Sequence, residues 1–107
     1  MKVGEGTVVM AGAVVQPDAA LGRHVIVNTG ASVDHDAQVG DFVHIAPGST
    51  LAGNVTLDEG AFLGVGTRVI PGMRVGAWAT VGAGAVVIRP VPHGATAVGV
   101  PARVLAS

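Results

Sequence analysis

From Val3 onward every sixth residue is aliphatic: Val3, Val9, Val15, Leu21, Val27, Val33, Val39, Ile45, Leu51, Leu57, Leu63, Val69, Val75, Val81 and Val87. Random placement would almost never fill fifteen such steps in succession. The fifth place of each hexad is held small: Thr7, Ala13, Ala19, Val25, Ala31, Ala37, Val43, Ser49, Val55, Ala61, Thr67, Met73, Ala79, Ala85 and Val91, with only Met73 large. One inward aliphatic and one small residue in every six predict two-residue strands that meet at tight corners. A helix would need an apolar spacing near 3.6, and its interior would not tolerate this much glycine.

A longer period lies over the first. Three hexads make an 18-residue unit whose second place reads Gly4, Gly22, Gly40, Asp58 and Gly76, and whose tenth place reads Gly12, Gly30, Gly48, Gly66 and Gly84. Three equal sides per unit predict a triangular solenoid of about five coils, an all-β parallel β-helix. Gly and Asp are expected at both places because the chain turns there and positive φ is cheap for them. With stacked strands ~4.8 Å apart, five coils should rise roughly 24 Å. The spacing ends after Pro92, so residues 1–92 read as the β-helix. Residues 93–107, with Gly94, Gly99 and Pro101, read as a C-terminal capping tail. Only Met1 and Lys2 precede the first coil, which leaves that end bare.

Composition narrows the function classes. Seventeen glycines and only three aromatics, Phe42, Phe62 and Trp78, describe a regular backbone filled by Val, Leu, Ile and Ala. The net charge of -1, without a basic run, argues against nucleic acid as a partner. Without cysteine there is no disulfide, no thiolate metal site and no Cys nucleophile. No signal peptide is visible, and no apolar stretch reaches the ~20 residues of a membrane span, so a cytoplasmic location is the expectation.

In a solenoid the repeat explains the fold, and chemistry is sought where the repeat is broken. The densest break is Asp34-His35-Asp36, a corner that needs neither imidazole nor carboxylate. It reads either as a solvated turn or as a general base with a carboxylate to fix its tautomer. His44 stands in a strand, in a column otherwise holding Val8, Ile26, Phe62 and Thr80. It reads either as a packed residue or as a donor to a substrate carbonyl. Asn28 is a turn-tolerant residue or a ligand-facing amide. Gly53 is a turn residue or an unobstructed N–H for an oxyanion. Phe42 and Trp78 share a column with Gly6, His24 and Gly60, and aromatics stacked on an outer face suggest a subunit interface. A zinc site built from His24, His35 and His44 is disfavoured because the three stand in different columns.

Three runs resemble the hexapeptide-repeat sugar acetyltransferases of the sialic-acid and bacillosamine type: Gly22 to Asp36, Val39 to Gly48 with Leu51 to Val55, and Val98 to Arg103. The resemblance covers the whole chain and implies a left-handed coil. It implies acetyl transfer from acetyl-CoA to a sugar or sugar-nucleotide amine or hydroxyl. His35 would be the general base, oriented by Asp36 or, less favourably, Asp34. Asn28 would line the acceptor pocket, and His44 with the Gly53 N–H would bind the acetyl carbonyl. The tail, through Pro101 and Arg103, would run along coenzyme A, and Gly53 would also contact it. The family implies a homotrimer with sites between subunits and an N-terminal α/β domain that these residues do not include; the residues themselves lead to the expectation of no metal. The rival reading is a trimeric scaffold without catalysis.

Overall fold

In a computed structural model, described over residues 1–105, every hexad becomes one side of a triangular prism. Face one stacks Lys2–Val3, Ala20–Leu21, Gln38–Val39, Thr56–Leu57 and Arg74–Val75. Face two stacks Val8–Val9, Ile26–Val27, His44–Ile45, Phe62–Leu63 and Thr80–Val81, and face three Val14–Val15, Ser32–Val33, Thr50–Leu51, Arg68–Val69 and Val86–Val87. All these strands pair in parallel with their equivalents 18 residues away, as in Ile26 with His44 and His44 with Phe62. The coils wind left-handed. A two-residue strand offers too few hydrogen bonds to stand alone, so each side is held by its neighbours above and below.

The second residue of each strand points inward. Val27, Val33, Ile45, Leu51, Leu63 and Val81 are all fully buried. The small fifth-place residues line the same core. The hydroxyls admitted there are satisfied: Ser49 Oγ donates to Gly64 O at 3.0 Å and Thr67 Oγ1 to the same carbonyl at 2.8 Å. The first coil is covered on one side only, and its Val3 and Val9 stay 51% and 44% exposed.

The two glycine columns have different causes. Gly12, Gly30, Gly48, Gly66 and Gly84 do take φ between 68° and 72°, as the turn reading requires. Gly4, Gly22, Gly40 and Gly76 do not. A Cβ on Gly4 would lie 2.5 Å from the backbone of Gly22, and one on Gly76 2.5 Å from the His93 nitrogen. That column is glycine because successive coils approach closely, which corrects the expectation of positive φ.

The prism also continues past its fifth coil. Val91, placed by the six-residue count in the small fifth position, instead bridges Val75 on face one, an offset of 16 residues rather than 18. The connection from face three to face one is thus two residues short. Thr96–Val98 then adds a sixth strand to face two against Thr80–Val81. The chain reverses, and Arg103–Val104 pairs antiparallel with Ala97–Val98. These additions account for a long dimension of 35 Å, against 21 and 20 Å across. Ala106 and Ser107, the end of the expected tail, lie outside the described residues.

Candidate functional site

The corner from face three to face one is a ladder of turns. Asn54 N–H donates to His35 O at 3.0 Å and Gly72 N–H to Gly53 O at 3.0 Å, so His35, Gly53 and Pro71 stand one above another. Asp34 Oδ1 accepts from the His35 backbone N–H at 2.7 Å and closes the turn. Asp36, at φ 59°, swings its carboxylate onto the ring, with Oδ2 3.2 Å from His35 Nδ1. The two aspartates that sequence alone left as alternatives are therefore distinguished: Asp34 serves the backbone and Asp36 the imidazole. When Nδ1–H donates to Asp36, Nε2 presents a lone pair. Both side chains are more than half exposed, so solvent screens this pair.

Gly53 lies directly beneath that ring. A Cβ at Gly53 would sit 2.5 Å from both Cε1 and Nε2 of His35. Its turn place is filled by Pro17 and Pro71 elsewhere in the same ladder, so the backbone there is one that proline accepts. Conformation does not demand glycine, and room for the imidazole does. The Gly53 N–H has no acceptor among the described residues, a freedom it shares with several turns of this type.

Asn28 and His44 form a second group. Asn28 Oδ1 accepts from the Thr29 N–H at 2.8 Å, which leaves its Nδ2 to donate to His44 Nε2 at 3.3 Å. A neutral His44 thereby carries its proton on Nδ1. Phe62, one coil on, meets the His44 ring edge to face at 5.2 Å. Sequence reading placed Phe62 in that column but gave it no part; its 18-residue offset from His44 was the signal. This group stands on face two beside the corner to face three. A whole side of the prism, carrying Ser32–Val33, separates it from His35 and Gly53. One subunit therefore does not bring His44 and Gly53 to a common atom.

The remaining candidates fall elsewhere. His24 and Phe42 stack at 5.4 Å, and Trp78 lies over Gly60, but all have positive φ. They line the corner between faces one and two, not a flat outer face as the column suggested. Arg23 grips Asp41 there: its backbone N–H donates to Oδ1 at 2.8 Å and holds that carboxyl below the usual carboxylate range. His24, His35 and His44 thus occupy two separate corners and a face, and no group of three metal-ligating side chains converges among the described residues. Pro101 and Arg103 border a crevice of about 240 Å³ with Ile88, Arg89 and Ala102. Arg89, which sequence reading passed over, follows Pro17, His35, Gly53 and Pro71 by count but stands in the connection that is two residues short.

No protein-family model matches the chain, and no curated protein does. Solved structures do. PerB from Caulobacter crescentus, in complex with CoA and GDP-perosamine, is 50% identical with a TM-score of 0.97, covering 98% of this chain and 51% of that one. The acetyltransferase domain of PglB from Neisseria gonorrhoeae is 47% identical with a TM-score of 0.94, covering 97% and 51%. A histidine-to-asparagine variant of the Caulobacter perosamine N-acetyltransferase, with the same two ligands, is 49% identical with a TM-score of 0.98, covering 99% and 50%. The chain spans about half the length of these relatives. With one fold and about half its residues shared across its length, the chain is similar to the left-handed β-helix part of these hexapeptide-repeat acetyltransferases.

Proposed function

We propose that the chain transfers acetyl from acetyl-CoA to an amine or hydroxyl of a sugar or sugar nucleotide, with His35 as general base. The observation that carries this is the seating of the His35 ring. It rests on a glycine that leaves room for it, with Asp36 on Nδ1 and no hydrogen-bond partner on Nε2 among the described residues. A relative of this fold binds CoA together with GDP-perosamine, and one of its histidines has been replaced in a further structure.

The chemistry follows from those groups. An acceptor N–H or O–H placed at His35 Nε2 loses its proton there as its heteroatom attacks the thioester carbonyl. The new C–N or C–O bond forms, and the carbonyl oxygen becomes an oxyanion that the Gly53 N–H can receive. Collapse breaks the C–S bond, and the proton held by His35 passes to the departing thiolate. With no cysteine in the chain, direct transfer is favoured over a thiol acyl-enzyme.

His44 joins this site only from a second subunit. Face two presents Val8, Ile26 and Phe62 outward, each more than a third exposed, on either side of His44. An apolar flank suits packing against another copy. A threefold assembly that sets face two of one subunit against the His35 corner of the next supplies His44 and Asn28 to the acetyl and acceptor side. Acceptor-dependent release of coenzyme A thiol, with an amino-sugar nucleotide as acceptor, tests the reading. His35→Ala should lower that rate by ~10²–10⁴. Equal release by the variant would overturn the assignment.

A further inference from the structure

The two histidines of the proposed site have partners of opposite polarity. His35 Nδ1 faces the Asp36 carboxylate at 3.2 Å, and an ionised carboxylate only accepts. A neutral His35 so held keeps its proton on Nδ1 and has its lone pair on Nε2. His44 Nε2 faces the side-chain amide of Asn28 at 3.3 Å, and which end of that amide stands there is decided next door. Asn28 Oδ1 lies 2.8 Å from the Thr29 backbone N–H, which only donates, and 3.4 Å from Thr29 Oγ1. Turning the amide over would set donor against donor there and leave the Thr29 N–H without an acceptor among the described residues. Nδ2 is therefore the atom that meets His44, and an amide nitrogen only donates. His44 Nε2 must accept, and the proton of the neutral ring goes to Nδ1.

Rotating the ring offers no way around this. Half a turn would set Cε1 rather than Nε2 against the amide, and a carbon does not accept. Phe62, one coil on, packs the ring edge to face at 5.2 Å, so the imidazole is held between coils two and four. Free neutral histidine favours the proton on Nε2, so the tautomer here is imposed by the hydrogen bond that Asn28 makes. We propose that Asn28 is a positioning residue that fixes His44 as the Nδ1–H tautomer, which makes the second imidazole a hydrogen-bond donor to the acetyl carbonyl and leaves His35 as the one base. The tautomer rests on the hydrogen bonds of this chain alone, and its use on the carbonyl rests on the acetyl-transfer reading above. Asn28 thus acts on the reaction through His44, not through the acceptor.

Long-range proton–nitrogen correlation spectra of protein labelled at its histidine nitrogens read the tautomer directly. They are recorded at about pH 9, well above the ordinary imidazole range, and His44→Gln identifies the His44 signals by their loss. The wild type should show a protonated Nδ1 and a bare Nε2. Asn28→Asp keeps the side-chain shape, the acceptor for the Thr29 N–H and a residue suited to turns, but it offers Nε2 only acceptors. The proton should move to Nε2, and kcat for acetyl transfer to an amino-sugar nucleotide at the same pH should fall about tenfold or more. Asn28→Ala, which removes the donor without adding a charge, should also return the proton to Nε2 and serves if the aspartate variant does not fold. A wild-type His44 protonated on Nε2 would overturn the proposal. So would a variant whose proton moves while kcat stays within about threefold of wild type, and so would one that loses the rate with its proton still on Nδ1. A wild type that carries Nδ1–H yet releases no coenzyme A thiol with donor and acceptor present would defeat the acetyl-transfer reading and leave the tautomer standing.

Discussion

Replacing Gly53 by alanine should leave the protein folded and nearly stop acetyl transfer. The added Cβ would lie 2.5 Å from Cε1 and Nε2 of His35, against an ordinary contact of 3.4–4 Å, so the ring must retreat by about 1 Å. The backbone does not resist, because Pro17 and Pro71 fill the same turn place. Removing glycine freedom from the unfolded chain contributes ~0.4–1 kcal/mol in favour of folding. The exposed His35–Asp36 contact that the shift disturbs is worth ~0–1 kcal/mol. The two nearly cancel, and the melting temperature should move by only a few degrees. Rate responds differently, since ~1 Å of misplacement at a reacting group costs ~10²-fold. Gly60→Ala is the control. Its φ is +71° and its Cβ would meet the Trp78 ring, so it should lose at least ~1–2 kcal/mol while the His35 corner keeps its geometry. Thermal unfolding and thiol release on both variants decide the matter. A Gly53→Ala protein within threefold of wild-type turnover, or one destabilised as much as Gly60→Ala, would refute the idea that this glycine exists for the imidazole.

The two aspartates flanking His35 should behave differently. Asp36→Asn should slow transfer about tenfold or more by removing a charged partner of the ring, and Asp34→Asn should not, because an amide oxygen still accepts the His35 N–H; steady-state rates separate them. Asp41 should contribute to acid stability. Its folded pKa is depressed chiefly by the Arg23 backbone N–H, so its stabilisation is present above the ordinary carboxylate range and is lost as pH falls through the depressed value. Melting curves from neutral pH down to below about pH 4 should therefore fall less steeply for Asp41→Asn than for the wild type. Phe62→Glu should dissociate the proposed trimer by placing charge on the apolar flank of face two, and light scattering should report trimer for the wild type and monomer for the variant.

Most of the fold was legible because the repeat encodes it twice, once as inward aliphatics and once as turns. The inward positions from Leu21 to Val87 are the ones the six-residue count names, and those from the second coil on are buried. What the count missed was the two-residue deletion before Val91, since a strict spacing cannot show which corner absorbs a gap. It also gave one cause to both glycine columns, because residue type alone does not separate a left-handed turn from a close approach between coils. At the site, the break at Asp34-His35-Asp36 was plain. The division of labour between the carboxylates was not, because it depends on which one faces backbone. The separation of His44 from Gly53 was implicit in their columns, and it becomes a constraint only when the two are asked to touch one acetyl group.

That constraint says why such a site belongs on a solenoid. A corner delivers one residue per coil at a fixed rise of ~4.8 Å, so function along it is set by coil number alone. Each corner place tolerates many residues so long as the turn closes, which is how one ladder can hold proline, histidine and glycine in turn. A flat side tolerates less on its inner surface, where every residue fills the core, and more on its outer surface, where a neighbour decides what fits. The proposed base and the bare glycine are therefore built one above the other within a subunit, where rise controls their spacing. The second imidazole stands on a face, where in the proposed assembly its distance to them would be set by packing between copies.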